Sequence, residues 1–277
     1  MSGQVVCVGL ATLDTIFAVP RHPEADDRLV ATALAVAGGG PAATAAVALA
    51  RLGVEACFVG VVGDDATGIA IRDGLGREGV DVGEVAVVPG GRSPQSSILV
   101  GGDGRAIIHF PGTLPLLELS PRALARCREA AWVHVDHAGY RAVPRDVRLS
   151  IDGGNPIEGL DLDGVALYGP TDVGLERDFG SAERALEAGA ELVVVTRGAQ
   201  GCAAYSRDGV VEAKATPVEN PVSTLGAGDV FHGALLARLV QDAPLADALS
   251  FANACAALST RALDGRSAIP TLQEVLS

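Results

Sequence analysis

Short apolar segments alternate with segments of helical periodicity along most of this chain, and this alternation constrains its fold more than any other feature. The segments predicted as strands cover residues 4–10, 56–62, 131–136, 147–152, 163–168 and 190–196. The segments predicted as helices cover 41–52, 66–78, 121–130, 181–188, 229–240, 245–258 and 271–276. Apolar strands that are separated by helices form a parallel sheet covered on both faces, so the pattern predicts an α/β fold.

Two regions interrupt the alternation. Residues 15–37 contain a strand, a polar loop and a second strand, and residues 84–110 contain three short apolar runs, "EVAVV", "SSILV" and "RAIIHF". Because neither region has a helical segment between its strands, we expect both to pair into a small antiparallel sheet beside the main layer. No long linker separates them from the rest, so residues 1–277 are predicted to form one domain that carries this sheet as a lid.

Composition and charge disfavour several classes of protein. The formal net charge of −13 argues against a nucleic-acid-binding protein, since phosphate contacts require clustered lysine and arginine. The amino-terminal residues lack the basic segment and cleavage site of a signal peptide, and no segment is predicted to cross a membrane. The five cysteines form no CxxC pair and mostly lie in apolar runs, which is typical of buried free thiols in a reducing cytoplasm.

The stretch "STLGAGDVFHGAL", residues 223–235, combines a glycine-rich turn with an acid at the start of a predicted helix. The backbone N–H groups at a helix start are unpaired, and glycine lets an anion approach them closely. Asp229 at the edge of this turn could accept a proton from an attacking hydroxyl group. An anion-binding turn and a positioned base are the parts that phosphoryl transfer requires.

On these residues alone, a second interpretation stays open. The stretch could be an ordinary strand-to-helix turn in which Asp229 is a first-turn acid that stabilises the helix dipole. Other phosphate-binding motifs are absent from the sequence: the only lysine, Lys214, is not in a Walker A loop, no GxGxxG follows the first strand, and no GxSxG is present.

Five fragments together resemble the pfkB/ribokinase family of carbohydrate kinases. "STLGAGDVFHGAL" is similar to its carboxy-terminal signature, and "AGGGPAATAAVALARLG" followed by "FVGVVGDDATG" resembles its amino-terminal signature. "CVGLATLDTI" fits the first strand of that family, and "VVVTRGAQGC" matches a turn that lies near the nucleotide. The resemblance implies a ribokinase-like three-layer α/β/α fold with a small β lid.

The resemblance also implies roles for individual residues. Asp229 would be the catalytic base, and the backbone of Gly226, Ala227 and Gly228 would form the anion hole. The residues implied on the acceptor side are Asp14, Gly39, Gly40 and Thr44, and those on the nucleotide side are Thr196, Gly198, Gly201 and Asn253. ATP with Mg²⁺ is the implied phosphoryl donor.

The sequence departs from the family pattern at three places. Ser223 replaces the acid that opens the carboxy-terminal signature, which puts a monovalent-cation site in doubt. Thr44 replaces an asparagine that touches the sugar in ribokinases, so ribose is not favoured as the acceptor. The Asn-x-x-Glu motif that is linked to magnesium is not recognisable in "YGPTDVGLE", where Asp172 or Glu176 could substitute.

Within the family, the signatures look most similar to the sulfofructose-kinase branch, where basic and polar residues bind a sulfonate. Arg28 in the first lid segment fits the first of those positions, His109 in the third lid strand could replace the polar residue of the second, and Arg141 lies near the third but is offset. The predicted function is therefore an ATP-dependent kinase of a small sugar, a ketose or an anionic sugar such as sulfofructose. A nucleoside kinase of the same family and a catalytically silent sugar sensor remain the alternatives.

Two further expectations concern histidines and assembly. "VHVDH" places His134, Asp136 and His137 close together, and such a cluster could hold zinc, but no further ligand has a recognisable spacing. We expect His137 to line the substrate pocket or to be structural, and His232 to be a packing residue. Exposed lid strands often pair with a second copy, so the lid predicts a homodimer.

Overall fold

The computed structural model describes residues 3–102 and 104–276. Its strands are β1 (Val5–Val8), β2 (Thr12–Ala18), β3 (Ala33–Gly39), β4 (Ala56–Gly63), β5 (Asp81–Val88), β6 (Gln95–Gly101), β7 (Gly104–Phe110), β8 (Trp132–Val135), β9 (Leu149–Asp152), β10 (Leu167–Gly169), β11 (Leu192–Thr196), β12 (Cys202–Ser206) and β13 (Gly209–Ala213). Its helices are α1 (Pro41–Arg51), α2 (Ala66–Arg77), α3 (Pro121–Glu129), α4 (Asp172–Asp178), α5 (Ala182–Glu187), α6 (Ala227–Leu239), α7 (Leu245–Ser259) and α8 (Leu272–Leu276).

The larger sheet has nine strands in the order β13-β12-β11-β10-β9-β8-β1-β4-β5. The strands from β11 to β5 pair in parallel, and β12 and β13 extend the sheet through antiparallel pairs. The predicted ribokinase-like α/β fold is thereby confirmed. All residues of β1, β8 and β9 are buried, as expected for central strands that are covered on both faces.

Small residues let the helices on one face of this sheet pack closely. Helix α1 buries every residue from Ala42 to Leu49, and α6 buries Val230 to Ala237. A Cβ atom on Gly233 would lie 2.5 Å from the carbonyl oxygen of Ala45, so only glycine permits this approach of the two helices. The close packing holds the amino-terminal ends of α1 and α6 side by side, where the candidate site lies.

The smaller sheet has four strands in the order β3-β2-β6-β7. The expectation of a wholly antiparallel sheet is wrong, because β2 and β6 pair in parallel, whereas β2–β3 and β6–β7 are antiparallel. Its register places Ala37, Asp14, Ser96 and His109 in one row across the four strands, so their side chains share a face. The adjacent row, which belongs to the opposite face, contains Val36, Thr15, Ser97 and Ile108. The first row includes the carboxylate that the sequence placed on the acceptor side.

Some elements differ from the sequence-based expectation. The prediction that "EVAVV" belongs to the lid is wrong, because these residues lie in β5 and pair in parallel with β4 at the edge of the main sheet. Their partly exposed pattern fits an edge strand as well as a lid strand, and only the pairing distinguishes the two. The hairpin of β12 and β13 and helix α4 were not predicted, since their short and small-residue segments carry weak periodicity. Among the described residues, no helix has the length and apolar character needed to cross a membrane.

Candidate active site

Asp136 anchors the loops at the carboxyl end of the main sheet. It directly follows β8, is 1% exposed, and accepts hydrogen bonds from four backbone amides: Leu10 (2.8 Å) and Ala42 (3.1 Å) on one oxygen, Ala138 (2.9 Å) and Gly139 (3.1 Å) on the other. These bonds join the β1–β2 loop, the start of α1 and the loop after β8. The carboxylate is therefore occupied as a structural anchor, which argues against its use as a zinc ligand.

The predicted anion hole lies at the start of α6. Gly226 caps the helix with a φ of 74°, and its Cβ would lie 3.0 Å from the backbone of Gly265, so the turn requires glycine. The first intrahelical bond runs from Val230 N to the Gly226 oxygen, and the Ala227 amide donates to Thr224 at 3.3 Å. The helix therefore leaves the amide of Gly228 without an intrahelical partner, and no atom lies within 4 Å of its Cβ position.

Asp229 lies in the first turn of α6, beside this open space, and is partly buried. Burial raises the pKa of Asp229 to about 7, with Asp152 and Asp136 acting in the same direction, whereas His232 and Arg266 lower it. A carboxyl group whose pKa lies near neutrality is suited to accept a proton at physiological pH. The geometry thus joins a candidate base to an anion-sized space at a helix start.

On the acceptor side, Asp14 projects from β2 and is 7% exposed. A Cβ on Gly39 would lie 1.9 Å from its Oδ2 atom, so the glycine makes room for the carboxylate. Its Oδ1 atom is buried and has no hydrogen-bond partner among the described residues. A buried oxygen without a partner is costly, and a hydroxyl group of an acceptor would satisfy it. Burial raises the pKa of Asp14, against hydrogen bonds from Thr12 and Ser96 that lower it.

Arg266 is a residue of this site that the sequence analysis missed. It lies in the loop after α7, is 7% exposed, and donates to Thr44 Oγ1 at 3.1 Å and to the Gly39 oxygen at 2.6 Å. Burial lowers its pKa to about 10, whereas the charges of Asp14 and Asp229 raise it. The segment "DGRSAIP" offered one signal, an arginine among small residues, but nothing in the sequence places it beside residues 39 and 44.

The three residues predicted to bind an anion lie in three different environments. His109 lies in the same row as Asp14, and its Nδ1 is 3.3 Å from Ser96 Oγ. Arg28 is exposed in the loop between β2 and β3. Arg141 is exposed and paired with Glu158 at 3.0 Å, which directs it away from a substrate role.

The predicted nucleotide side surrounds the turn after β11. Gly198 and Gly201 have positive φ values of 53° and 92°, and a Cβ on Gly201 would lie 2.2 Å from the Ala213 oxygen. Thr196 ends β11. Asn253 uses its Nδ2 to donate to the oxygens of Ala213 (3.1 Å) and Lys214 (3.0 Å), so it braces the end of β13.

The structure shows the surroundings of the residues at two places where the sequence departs from the family pattern. Ser223 is 7% exposed and accepts a hydrogen bond from the Leu225 amide at 3.2 Å, which shapes the loop that leads into α6. Asp172 and Glu176 are exposed on α4, and Asp172 accepts from the adjacent Val173 amide. The oxygens of these two acids are the hard donors that Mg²⁺ prefers.

The lid contacts the loop that precedes the anion hole. Arg105 at the start of β7 donates to Thr224 Oγ1 at 3.1 Å. A cavity of about 350 Å³ lies between the lid and this loop, and Arg105, Ser223 and Thr224 are among its lining residues. The cavity is lined by neither Asp14 nor Asp229, so it is adjacent to the candidate site rather than its centre.

Comparison with known proteins decides the family. The model of the "pfkB family carbohydrate kinase" matches residues 2–148 and 174–272. The chain belongs to this family. It is 29% identical to an ATP-dependent ribose-1-phosphate kinase of Halopiger xanaduensis over 98% of this chain and 96% of that protein. It is also 27% identical to the ribokinase of Bacillus subtilis over 98% of this chain and 97% of that protein.

A solved structure agrees with that membership. The Arabidopsis thaliana ribokinase complexed with ribose and ATP superposes with a TM-score of 0.82 at 25% identity, covering 100% of this chain and 98% of that one. As a member of the family, this pfkB chain is a phosphotransferase. The family match omits residues 149–173, which contain Asp152 and the start of the segment where the Asn-x-x-Glu motif is not recognisable.

Proposed function

We propose that this pfkB-family chain transfers the γ-phosphoryl group of Mg-ATP to a hydroxyl group of a small sugar, with Asp229 as the catalytic base. The observation that carries the proposal is the position of Asp229 beside the open amide end of α6, with Gly228 unobstructed next to it. Asp229 takes the proton of the acceptor hydroxyl, and the amides at the helix start stabilise charge on the transferring phosphoryl group.

The acceptor lies between the lid and the main sheet. The unpartnered oxygen of Asp14 accepts a hydrogen bond from a sugar hydroxyl group, and the glycines at positions 39 and 40 leave no side chain in this crowded space. Gly40 has a φ of 92°, and a Cβ there would lie 2.3 Å from the Leu10 oxygen. Thr44 accepts a hydrogen bond from Arg266 beside this space. In ribokinases, the position of Thr44 is occupied by an asparagine.

ATP occupies the side formed by Thr196, Gly198, Gly201 and the helix α7 that carries Asn253. Asp172 or Glu176 would hold Mg²⁺ beside the nucleotide, where the ion would neutralise charge on the phosphates. Because Mg²⁺ usually keeps several waters and binds through one or two carboxylates plus phosphates, either Asp172 or Glu176 suffices on the protein side. A monovalent-cation site is not proposed, since Ser223 supplies no carboxylate at the position the family uses.

For the acceptor itself, we favour an anionic sugar, of which sulfofructose is the proposed example. Two basic side chains support this: Arg266, which is buried in the site, and Arg28, which belongs to the lid loop. Arg28 is exposed, so it would reach the substrate only through a movement of that loop. Charge-assisted hydrogen bonds are about twice as strong as neutral ones, so an arginine discriminates strongly in favour of an anion.

A panel of acceptors tests the proposal. ATP consumption would be measured with neutral ketoses and aldoses, phosphorylated and sulfonated sugars, and nucleosides. We expect the wild type to turn over at least one sugar. In Arg28→Ala, KM should increase for anionic sugars and stay unchanged for neutral ones. Arg207→Ala, at another exposed arginine in the turn between β12 and β13, is the control and should leave every KM unchanged. Turnover with nucleosides only, or with no acceptor, would contradict the proposal and favour the alternative kinase or sensor.

We also propose that the chain forms a homodimer through its lid, in a reducing cytoplasm. The face of the lid opposite Asp14 carries Leu34, Val36 and Ile108, which are 61%, 62% and 69% exposed. The five cysteines are buried and free, which fits a reducing compartment. Light scattering should give a dimer mass for the wild type and a monomer mass for Ile108→Glu, whereas Val210→Glu on β13 should remain dimeric. A monomeric wild type would contradict the assembly.

A further inference from the structure

Three polar side chains form a buried cluster beneath the candidate base. His134 in β8, Asp152 at the end of β9 and His232 in α6 are 0%, 4% and 5% exposed. His232 Nδ1 lies 3.3 Å from Asp152 Oδ2, and the two imidazole rings are 5.6 Å apart between centroids. Polar groups this deeply buried cost free energy unless they are hydrogen-bonded or paired. The phosphoryl-transfer scheme above does not use these three side chains.

The cluster is linked to Asp229 through α6. His232 follows Asp229 by three residues, so the two side chains lie on the same side of the helix, one turn apart. The charged groups that act on Asp229 are Asp152 from β9, Asp136 after β8, Arg266 from the carboxy-terminal loop and His232 itself. The two acids raise the pKa of Asp229, and Arg266 and His232 lower it. Loss of the charge on His232 should therefore raise the pKa of Asp229.

The surroundings of His232 favour its protonated form. Burial lowers the pKa of His232, but the charges of Asp152 and Asp229 raise it, and the net direction is upward. Its Nε2 lies against Gly169, where a Cβ would come within 2.7 Å, so the ring fits only beside a glycine. In contrast, burial and the neighbouring charge of His232 lower the pKa of His134 to about 3, so His134 remains neutral.

We propose that His232, paired with Asp152, is a positioning residue whose charge keeps the Asp229 carboxylate ionised for its reaction with the acceptor hydroxyl. The inference rests on the proposed role of Asp229 as the base. Asp152 Oδ2 lies 3.3 Å from His232 Nδ1 in the ion pair, and Asp152 Oδ1 accepts from the Gly154 amide at 2.7 Å. The imidazolium ion then offsets the negative charges that Asp152 and Asp136 place near Asp229.

The same three side chains have donor atoms within 4.8 Å of one another, which is compatible with a metal ion. His134 Nδ1 lies 3.0 Å from Ser150 Oγ and Asp152 Oδ1 accepts from Gly154, whereas His134 Nε2 and both ring nitrogens of His232 have no hydrogen-bond partner among the described residues. The distance of 3.3 Å between His232 Nδ1 and Asp152 Oδ2 is that of a long ion pair, which accounts for these two groups without a metal. Metal content is therefore one outcome of the test.

The test compares His232→Gln with the control His134→Gln. The control removes a neutral histidine from the same cluster, whereas His232→Gln removes the positive charge near Asp229. The dependence of kcat/KM on pH would be measured from pH 5.5 to 9 with the best acceptor. We expect the acidic limb to move upward by about one pH unit in His232→Gln, which is about a tenfold loss at pH 6 and little loss at pH 9. His134→Gln should keep the wild-type limb. An unshifted limb in folded His232→Gln would overturn the proposal.

A second measurement does not depend on activity or on a variant that folds. Nitrogen-15 NMR of the histidine side chains reports which of the five rings is protonated as the pH is raised in the wild-type chain. We expect one buried imidazolium whose pKa lies above the ordinary histidine value of 6.5. Its absence would overturn the proposal, as would one equivalent of bound transition metal in the purified protein. A chain that phosphorylates no acceptor defeats the proposed function instead, while the NMR titration still reports on His232.

Discussion

The guanidinium group of Arg266 donates a hydrogen bond of 2.6 Å from Nη2 to the carbonyl oxygen of Gly39. This bond joins the carboxy-terminal loop to the end of β3 across most of the sequence. The same loop places Gly265 against Gly226, the residue that caps α6. One short segment therefore contacts both the acceptor side and the anion hole, and a change there should affect binding and catalysis together.

Arg266→Met should weaken acceptor binding and lower stability. The substitution removes the hydrogen bonds to the Gly39 oxygen and Thr44 Oγ1 and the positive charge near Asp14 and Asp229, so we expect a loss of about 3 kcal/mol in the free energy of unfolding and a higher KM for the sugar. Arg51→Met is the control, since Arg51 also contacts the carboxy-terminal segment, through Ile269, and pairs with Glu78 away from the site. Equal KM values in the two variants would remove Arg266 from the acceptor site.

Asp229→Asn should abolish turnover while ATP still binds. A general base contributes about 10²- to 10⁴-fold, so kcat should fall by at least about a hundredfold. Because the pKa of Asp229 is raised to about 7, kcat/KM of the wild type should fall as the pH decreases below 7. Asp247→Asn, in the first turn of α7, provides the matched control and should retain activity. Turnover near the wild-type rate in Asp229→Asn would exclude it as the base.

The same substitution should stabilise the fold at alkaline pH. The pKa of Asp229 is higher in the folded chain than its usual value of 3.8, so the folded state binds this proton more tightly. The contribution of the group to stability is therefore fully present below pH 4 and is lost as the pH rises through 7. Thermal unfolding should give a higher Tm for Asp229→Asn than for the wild type at pH 8.5, and a clearly smaller gain at pH 4.5, where most of the contribution is still present. An equal gain at both pH values would point to packing rather than charge.

Gly228→Val should fold but lose phosphoryl transfer. No atom lies within 4 Å of the Gly228 Cβ position, so the protein accommodates the side chain, which then projects into the space an anion requires. The loss of one oxyanion donor costs roughly 3 kcal/mol of transition-state stabilisation. Gly76→Val in α2, another helical glycine with open space around it, is the control. Steady-state rates decide the matter, and unchanged kcat in folded Gly228→Val would contradict the anion hole.

Asp14→Ala should impair phosphorylation of every sugar acceptor. Asp14 faces the site from β2, and Thr15 occupies the opposite face of the same strand, so Thr15→Ala is a control for damage to the lid sheet. Losing a charged hydrogen-bond acceptor costs about 1.5–3 kcal/mol, which corresponds to a decrease in kcat/KM of roughly 10- to 100-fold. A panel of sugars measured with both variants distinguishes recognition from folding. Similar losses in the two variants would argue against direct contact.

Much of the architecture was predictable because its signals are local. The period of the apolar residues in β1, β4, β8 and β9 and in the helices reports the environment of each segment directly. The glycine turn before Asp229 was likewise visible, because it requires particular residues at adjacent positions. The strand β5 was misplaced, since its pairing partner is decided by topology and not by its own residues.

The role of His232 could not be predicted for a related reason. In the sequence it is one apolar-flanked histidine among helical residues, which is typical of packing. Its contact with Asp152 joins positions that are 80 residues apart in the sequence. The spacing of three residues between Asp229 and His232 is visible in the sequence, but the packing of Asp152 against α6 is not.

By itself, the sequence determined the fold class, the family and the location of the phosphoryl-transfer turn, because periodicity and contiguous motifs are properties of neighbouring residues. The tertiary structure alone decided which side chains meet at that turn: Arg266 at Gly39 and Thr44, Asp136 at the loop amides, and Asp152 at His232. These contacts arise because parallel strands bring their carboxyl ends to one edge of the sheet, whatever their separation along the chain. Charge and burial at that edge, which set the pKa of Asp229, are consequences of this convergence.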